Sequence, residues 1–314
     1  MSFAGRLARG PVVLLDGAMG SMLMARGLPP GVAPERWTLE RGDEIVAVHR
    51  AYVDAGSDAV QTGSFGAHPL RLAAAGLAGR AGEVATVATA LAREAGARYV
   101  IGNVGPTGEY LPPVGRGEPE VFRRGFLELG RAFAAAGVDA LHVETMSDLA
   151  EAQIALAALL ESAPGIPVCV SLTFEHKPRG FFTVMGNRLE EALPALGAAG
   201  ATAVGANCTL TSAGFRALAG IARQVWDGPL LLQPNAGRPS LTQGQAVYDQ
   251  LPEEFAADLA GIAASAVTES SEVSATGAAR PVGAGANLAV GGCCGTDPRF
   301  IAALAAELAE RRLR

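Results

Sequence analysis

Apolar positions along the chain fall into short β-branched or leucine-rich runs, and alanine-rich stretches with helical spacing lie between them. This alternation predicts strands at Val12–Asp16, Asp58–Thr62, Tyr99–Val104, Ala140–Thr145, Val168–Phe174, Ala203–Cys208, Leu230–Asn235 and Leu288–Cys293, each followed by a helix. Eight such units in 314 residues predict an α/β protein, a single (β/α)8 TIM barrel over residues 1–314. Helix starts are marked by Glu118-Pro119-Glu120, by Asp148, by Pro252-Glu253-Glu254 and by Asp297-Pro298. Ala55-Gly56, Ala136-Gly137 and Ala199-Gly200 read as helix ends with a left-handed glycine before the next strand. A doubly wound open sheet is the alternative, but Gly17 and Gly20 after the first strand make no G-x-G-x-x-G turn. The pattern lapses in Ser265–Gly285, rich in Ala, Ser, Gly and Glu. There the seventh helix is expected to run to about Ser270, with a flexible insertion within about 265–286.

Composition narrows the function. With 49% hydrophobic and 18% charged residues the chain can bury a large core, and a net charge of −6 without basic clusters argues against a nucleic-acid partner. No apolar run is long enough to span a membrane, and the run before Asp16 is too short for a signal peptide, so a cytoplasmic protein is expected. Lys177 is the only lysine, which disfavours Schiff-base chemistry. Four cysteines in a chain this long do not form a disulfide framework; a reducing compartment leaves them as thiols for metal binding or chemistry.

Barrel enzymes place their reactive groups at the C-terminal ends of the strands. The polar residues predicted there are Asp16, Thr62, Ser64, Asn103, Glu144, Cys208, Asn235 and the Cys293-Cys294 pair. Strands six and eight flank strand seven, so three thiols converge on one rim, which points to a three-cysteine zinc site with an open fourth position. Cys293-Cys294 as a redox dithiol is the alternative. Cys169, between Val168 and Val170, reads as a buried structural cysteine. Three thiolates leave zinc soft and suited to a fourth sulfur, so the substrate is expected to be a thiol, deprotonated by coordination. Asp16 and Glu144 on the same rim suit the α-ammonium group of an amino acid; their alternative is a capping or loop-stabilising role.

These residues resemble the homocysteine S-methyltransferase family along nearly the whole chain. The resemblance rests on Asp16-Gly17-Ala18-Met19-Gly20-Ser21, Gly105-Pro106-Thr107-Gly108, Glu144-Thr145-Met146, Asn207-Cys208, Pro234-Asn235-Ala236-Gly237 and Gly291-Gly292-Cys293-Cys294-Gly295-Thr296. It implies a zinc-dependent enzyme with Cys208, Cys293 and Cys294 as ligands and catalytic thiolates. It also implies that Asp16 and Glu144 hold the amino-acid part of homocysteine, with Gly17, Thr62, Ser64 and Asn235 completing the substrate-binding set. One departure is Thr62-Gly63-Ser64-Phe65 in place of T-N-T-F, which removes an amide side chain from the rim.

Three donor classes are compatible with the family: a methylated corrinoid, S-methylmethionine or a related sulfonium, and betaine. Gly66 and Thr145 stand where betaine enzymes carry tyrosines, whereas the motifs at strands three, four and seven resemble the homocysteine module of cobalamin-dependent methionine synthase. Methylcobalamin or another corrinoid is therefore the expected donor. The chain holds no D-x-H-x-x-G cobalamin signature, so delivery in trans on a corrinoid protein is expected. A non-catalytic metal- or corrinoid-protein-binding subunit is the alternative of a different class. His49, His68 and His176 read as surface or loop residues, and His142, in phase with Glu144, reads as pointing into the barrel. Trp37 and Tyr110 are expected in loops near the rim, shielding the donor pocket.

Overall fold

The computed structural model describes residues 1–242, 245–269 and 286–314. Eight parallel strands form one sheet: β1 Val13–Leu14, β2 Ala59–Gln61, β3 Tyr99–Val104, β4 Ala140–Met146, β5 Val168–Leu172, β6 Ala203–Thr211, β7 Leu230–Asn235 and β8 Leu288–Val290. Their order is β1-β8-β7-β6-β5-β4-β3-β2, and a Leu15–Ala59 bridge joins the two ends, so the sheet closes into a (β/α)8 barrel. The expected helix signals act as anticipated. Asp148 caps the helix Leu149–Ser162 by accepting from Ala150 N at 2.9 Å, and Asp297 caps Pro298–Glu310 by accepting from Arg299 N at 2.8 Å. Gly56, Gly137 and Gly200 all take positive φ at helix ends. The helix Pro252–Glu269 reaches nearly to Ser270; the insertion expected within 265–286 lies largely outside the described residues. No helix among the described residues is long and apolar enough to cross a membrane.

The interior of the barrel is divided by height. Alternate residues point inward, and their lower members (Val13, Leu15, Ala59, Tyr99, Ile101, Ala140, Cys169, Ala203, Leu231 and Ala289) form one buried apolar cluster. Phe3 and Leu7, from the N-terminal helix Phe3–Arg9, join this cluster and stop the bottom of the barrel. Cys169 is thus a packing residue. Further along the same inward rows the side chains become polar: Gln61, Asn103, His142, Glu144, Ser171, Asn207 and Gln233, all buried. A barrel that is apolar below and polar above confines its chemistry to the upper rim.

Gly205 is needed for closure. A Cβ there would lie 1.8 Å from the Leu231 carbonyl oxygen on the paired strand, a contact no side-chain rotation relieves. Gly205→Ala is expected to destabilise the protein by at least about 3 kcal/mol. Denaturant unfolding measures this, and an unchanged midpoint would show that the β6–β7 approach is looser than described.

Candidate active site

Cys208 sits where β6 leaves regular pairing. The β6–β7 register shifts between Asn207 and Thr211, and Cys208 and Thr209 take φ of 61° and 53°. Positive φ at non-glycine residues is uncommon and costs on the order of 1 kcal/mol or more, and such strain gathers at functional sites. Here it turns the thiol toward the turn that follows β8. That turn is pinned by Cys293 N to Pro234 O at 2.8 Å and by Ala236 N to Cys294 O at 3.0 Å. Gly292 lets it pass close to Thr296, whose hydroxyl a Cβ would meet at 2.3 Å.

The three sulfurs lie within 4.8 Å of one another, with Cys208 Sγ 3.8 Å and Cys293 Sγ 4.0 Å from Cys294 Sγ. Thiolates about 2.3 Å from a tetrahedral zinc ion stand roughly 3.8 Å apart, so the two separations from Cys294 already match the donor spacing of that ion. Hydrogen bonds from Cys293 and Cys294 draw the Cys208 thiol well below its usual value, while the same contacts, burial and the neighbouring sulfurs push the other two up. One thiolate shared among three sulfurs is a site that exchanges its remaining protons for a cation. Asn207 Nδ2 points at Cys293 Sγ from 3.7 Å, and half-buried Tyr248 packs on Gly295 beside Cys294.

The two carboxylates occupy the top of the barrel interior. Asp16 accepts from Gln61 N at 2.9 Å and from Gln61 Nε2 at 3.5 Å; burial, aided by Glu144, pushes its pKa up to about 8 despite those bonds. Glu144 accepts from Asn103 Nδ2 at 2.8 Å and Asn207 Nδ2 at 3.2 Å, and burial raises it to about 7. Neither acts as a helix cap. Asn103 Oδ1, Gln233 Oε1 and Asn235 Oδ1 are buried without a partner among the described residues. Unpaired acceptors beside two costly carboxylates are what a protonated amine, with three N–H donors, would satisfy.

Comparison with known proteins supplies the lineage of this site. Residues 13–308 match the sequence model of the family described as homocysteine S-methyltransferase. The chain belongs to the homocysteine S-methyltransferase family. It is 33% identical to methionine synthase of Mycobacterium tuberculosis and 31% identical to that of Mycobacterium leprae, in each case over 95% of this chain. It spans only about a quarter of the length of those two relatives, 25% and 24%. The homocysteine S-methyltransferase of Escherichia coli is 31% identical, with 94% of both chains covered. Among solved structures, the metallated form of the E. coli homocysteine methyltransferase MmuM superposes with a TM-score of 0.69 at 26% identity, over 94% of this chain and 96% of that one.

Other residues singled out by their place in the family motifs have less direct positions. Thr62 and Ser64 share a 2.7 Å hydroxyl contact and close a ring with Asn103, whose N–H donates to Thr62 Oγ1 and whose carbonyl accepts from Ser64. They reach Glu144 through Asn103. A Cβ on Gly63 would point at Thr38 Oγ1, 3.2 Å away, and at Ile45, behind the rim. The glycine of T-G-S-F therefore opens space toward the helices, and the amide beside Glu144 comes from Asn103. Gly17 is held between Tyr52 and Thr296, which a Cβ would meet at 2.9 and 2.7 Å. Asn235, at the end of β7, helps to lower the pKa of Cys208.

Three expectations from sequence need correction. Trp37 is buried in the helix Pro34–Glu40 with the Arg41 guanidinium 4.9 Å from its ring centroid, and only Tyr110 lies exposed on a loop. His49 and His68 are fully buried and, by that burial, lowered to about 4. His68 caps the helix Pro69–Ala74, and helical phase placed His49 against the barrel. The residues missed entirely are Gln61, Ser171 and Tyr248; Gln61 and Ser171 read as ordinary strand positions until the barrel phase makes them inward-facing.

Proposed function

We propose that this chain is a zinc-dependent S-methyltransferase that transfers a methyl group to the thiol of homocysteine to form methionine, working in a reducing cytoplasm as one barrel domain. The observation that carries the reading is a cluster of three thiols on the same rim as two buried carboxylates and three unpaired acceptors. Cys208, Cys293 and Cys294 would hold the zinc. Bound there, zinc supplies the substrate thiol as a thiolate, which is nucleophilic at neutral pH.

The chain's own residues do the positioning. Asp16 and Glu144 take the ammonium group, Asn103 and Asn207 orient Glu144 through its two oxygens, and Gln61 orients Asp16. Fixing the amino-acid end aims the sulfur along one direction, so the gain is in orientation. No side chain is required as a general base for the thiol.

For the donor we favour a methylated corrinoid supplied in trans. The likeness to methionine synthase supports it, and so does Gly66, where a Cβ would lie 2.9 Å from the Glu35 carboxylate, so that an aromatic side chain there would have to displace it. A small sulfonium donor such as S-methylmethionine is the second reading, favoured by the 94% coverage of the E. coli homocysteine S-methyltransferase, a relative of this barrel's own size. Methionine formation from homocysteine with methylcobalamin, S-methylmethionine or betaine at matched concentrations tests the reading. Turnover from S-methylmethionine alone would overturn the corrinoid assignment; no turnover from any donor, with a corrinoid protein supplied, would overturn the function.

The raised carboxyl pKa values fix a pH dependence. Below about 7 both groups are held neutral in the free protein, so affinity for the amino-acid end should rise with pH through 7 and 8. Stability moves the other way. The folded state keeps protons that the unfolded chain gives up near 4, so the ligand-free protein should lose stability as pH rises from about 4 to 8. Thermal unfolding across that range, alongside Asp16→Asn, measures it; a wild-type stability that climbs with pH, or a variant with the same slope, would show that Asp16 is ionised when buried.

A further inference from the structure

Gln61, His142 and Ser171 form an unbroken line of buried side chains from Asp16 to Asn207. Gln61 Nε2 lies 3.5 Å from Asp16 Oδ1, and Gln61 Oε1 lies 2.5 Å from His142 Nδ1. His142 Nε2 lies 2.8 Å from Ser171 Oγ, which lies 2.8 Å from Asn207 Oδ1. The Asn207 amide cannot turn over. Its Oδ1 accepts from Thr145 N at 2.8 Å, and its Nδ2 serves Thr145 Oγ1 at 2.7 Å and Glu144 Oε2 at 3.2 Å.

Hydrogens along this line are in short supply. Ser171 has one, and Asn207 Oδ1 can only accept it, so His142 Nε2 must donate to Ser171. A neutral imidazole then has a bare Nδ1 and needs the amide nitrogen of Gln61 opposite it. With Gln61 turned that way its oxygen faces Asp16, and the contact closes only when Asp16 carries a proton. With Asp16 charged, every donor reverses. Gln61 donates to the carboxylate, its oxygen takes Nδ1–H, Nε2 accepts from Ser171, and the Ser171–Asn207 contact has no hydrogen left. A doubly protonated imidazole would restore it, but burial alone lowers His142 to about 3.

We propose that His142 is a positioning residue whose tautomer couples the charge on Asp16 to the Ser171–Asn207 hydrogen bond. A cationic group arriving at Asp16 thereby changes the hold on Asn207, the amide that steadies Glu144 and faces Cys293. The proposal rests on the reading of Asp16 as a seat for the substrate ammonium. When the ammonium arrives, Asp16 gives its proton to solvent, the Gln61 amide turns over, and the imidazole hydrogen passes from Nε2 to Nδ1. No bond between heavy atoms forms or breaks. The other ionisable groups facing Asp16 are Glu144 and Tyr52.

The test uses zinc-loaded protein labelled with 15N-histidine. It has four histidines, and the His142 signals are those absent from His142→Gln. Methionine is the probe, because a thioether brings an ammonium group without a thiol proton. The imidazole hydrogen is expected on Nε2 in the free protein and on Nδ1 at saturation. Calorimetry near pH 7.5, in buffers of different ionisation enthalpy, should give about one proton released per methionine bound, most of it from Asp16. Ser171→Ala leaves the histidine in place and should hold the hydrogen on Nδ1 throughout, the tautomer of the bound state, lowering KM for homocysteine several-fold with zinc content unchanged. Methionine that binds while the tautomer stays fixed would overturn the coupling and leave the proposed function standing. Failure of both methionine and homocysteine to bind would overturn the two together.

Discussion

Cys208→Ala is expected to bring zinc content from about one ion per chain to a small fraction of that, and methyl transfer down by at least about a thousandfold. Cys208 supplies one of three sulfurs from a strand separate from the Cys293-Cys294 turn, so its loss leaves two adjacent thiols whose Sγ atoms are 4.0 Å apart. Two such ligands cannot fix a tetrahedral ion alone. The substitution should not unfold the chain: the thiol is part-exposed, and alanine at φ 61° is strained no more than cysteine. Cys169→Ala is the matched control, since that sulfur lies in the apolar layer at the bottom of the barrel and should leave the metal bound. Zinc measured by emission spectrometry on both variants decides the matter. Full occupancy in Cys208→Ala would sink the three-thiolate assignment. Activity retained without Cys208 would favour a vicinal dithiol acting by redox chemistry.

The barrel was legible because each strand is an apolar run bounded by a helix signal, and strands β3 and β7 fall at the predicted residues. The thiol cluster was legible for a related reason: in a barrel, strand ends share one rim whatever their separation in sequence. Less of the support was readable. His142, Ser171 and Asn207 form one chain of contacts only because register brings their inward phases side by side, and register is a property of pairing between strands. The kinks that aim Glu144 and Cys208 were hidden for a different reason. Thr145, Cys208 and Thr209 adopt positive φ without glycine, so no local residue preference announces them, and the surrounding hydrogen bonds impose the conformation. The buried His49 and His68 show the opposite error, in which polar character was weighed above helical phase and capping geometry.

Glu144→Gln should raise KM for homocysteine by about a hundredfold while zinc content and most of kcat survive. Losing a buried charge-assisted hydrogen bond to an ammonium group costs about 3 kcal/mol, and each 1.4 kcal/mol is a factor of ten. The glutamine retains the shape of the side chain but brings an N–H toward the Asn103 or Asn207 amide that now donates to a carboxylate oxygen. One of those amides must turn. Asn207 is the less free, being tied to Thr145 and Ser171, so the adjustment should fall on Asn103, whose Oδ1 has no partner among the described residues. Removing a carboxyl that burial raises to about 7 should also make the ligand-free variant more stable than the wild type above that pH, where the native glutamate is forced to ionise in place. Steady-state kinetics, zinc analysis and thermal unfolding at pH 6 and 8.5 test these outcomes together. A variant that loses zinc would place Glu144 in the metal site, and one with unchanged KM would remove it from the ammonium clamp and leave Asp16 as the single anionic contact.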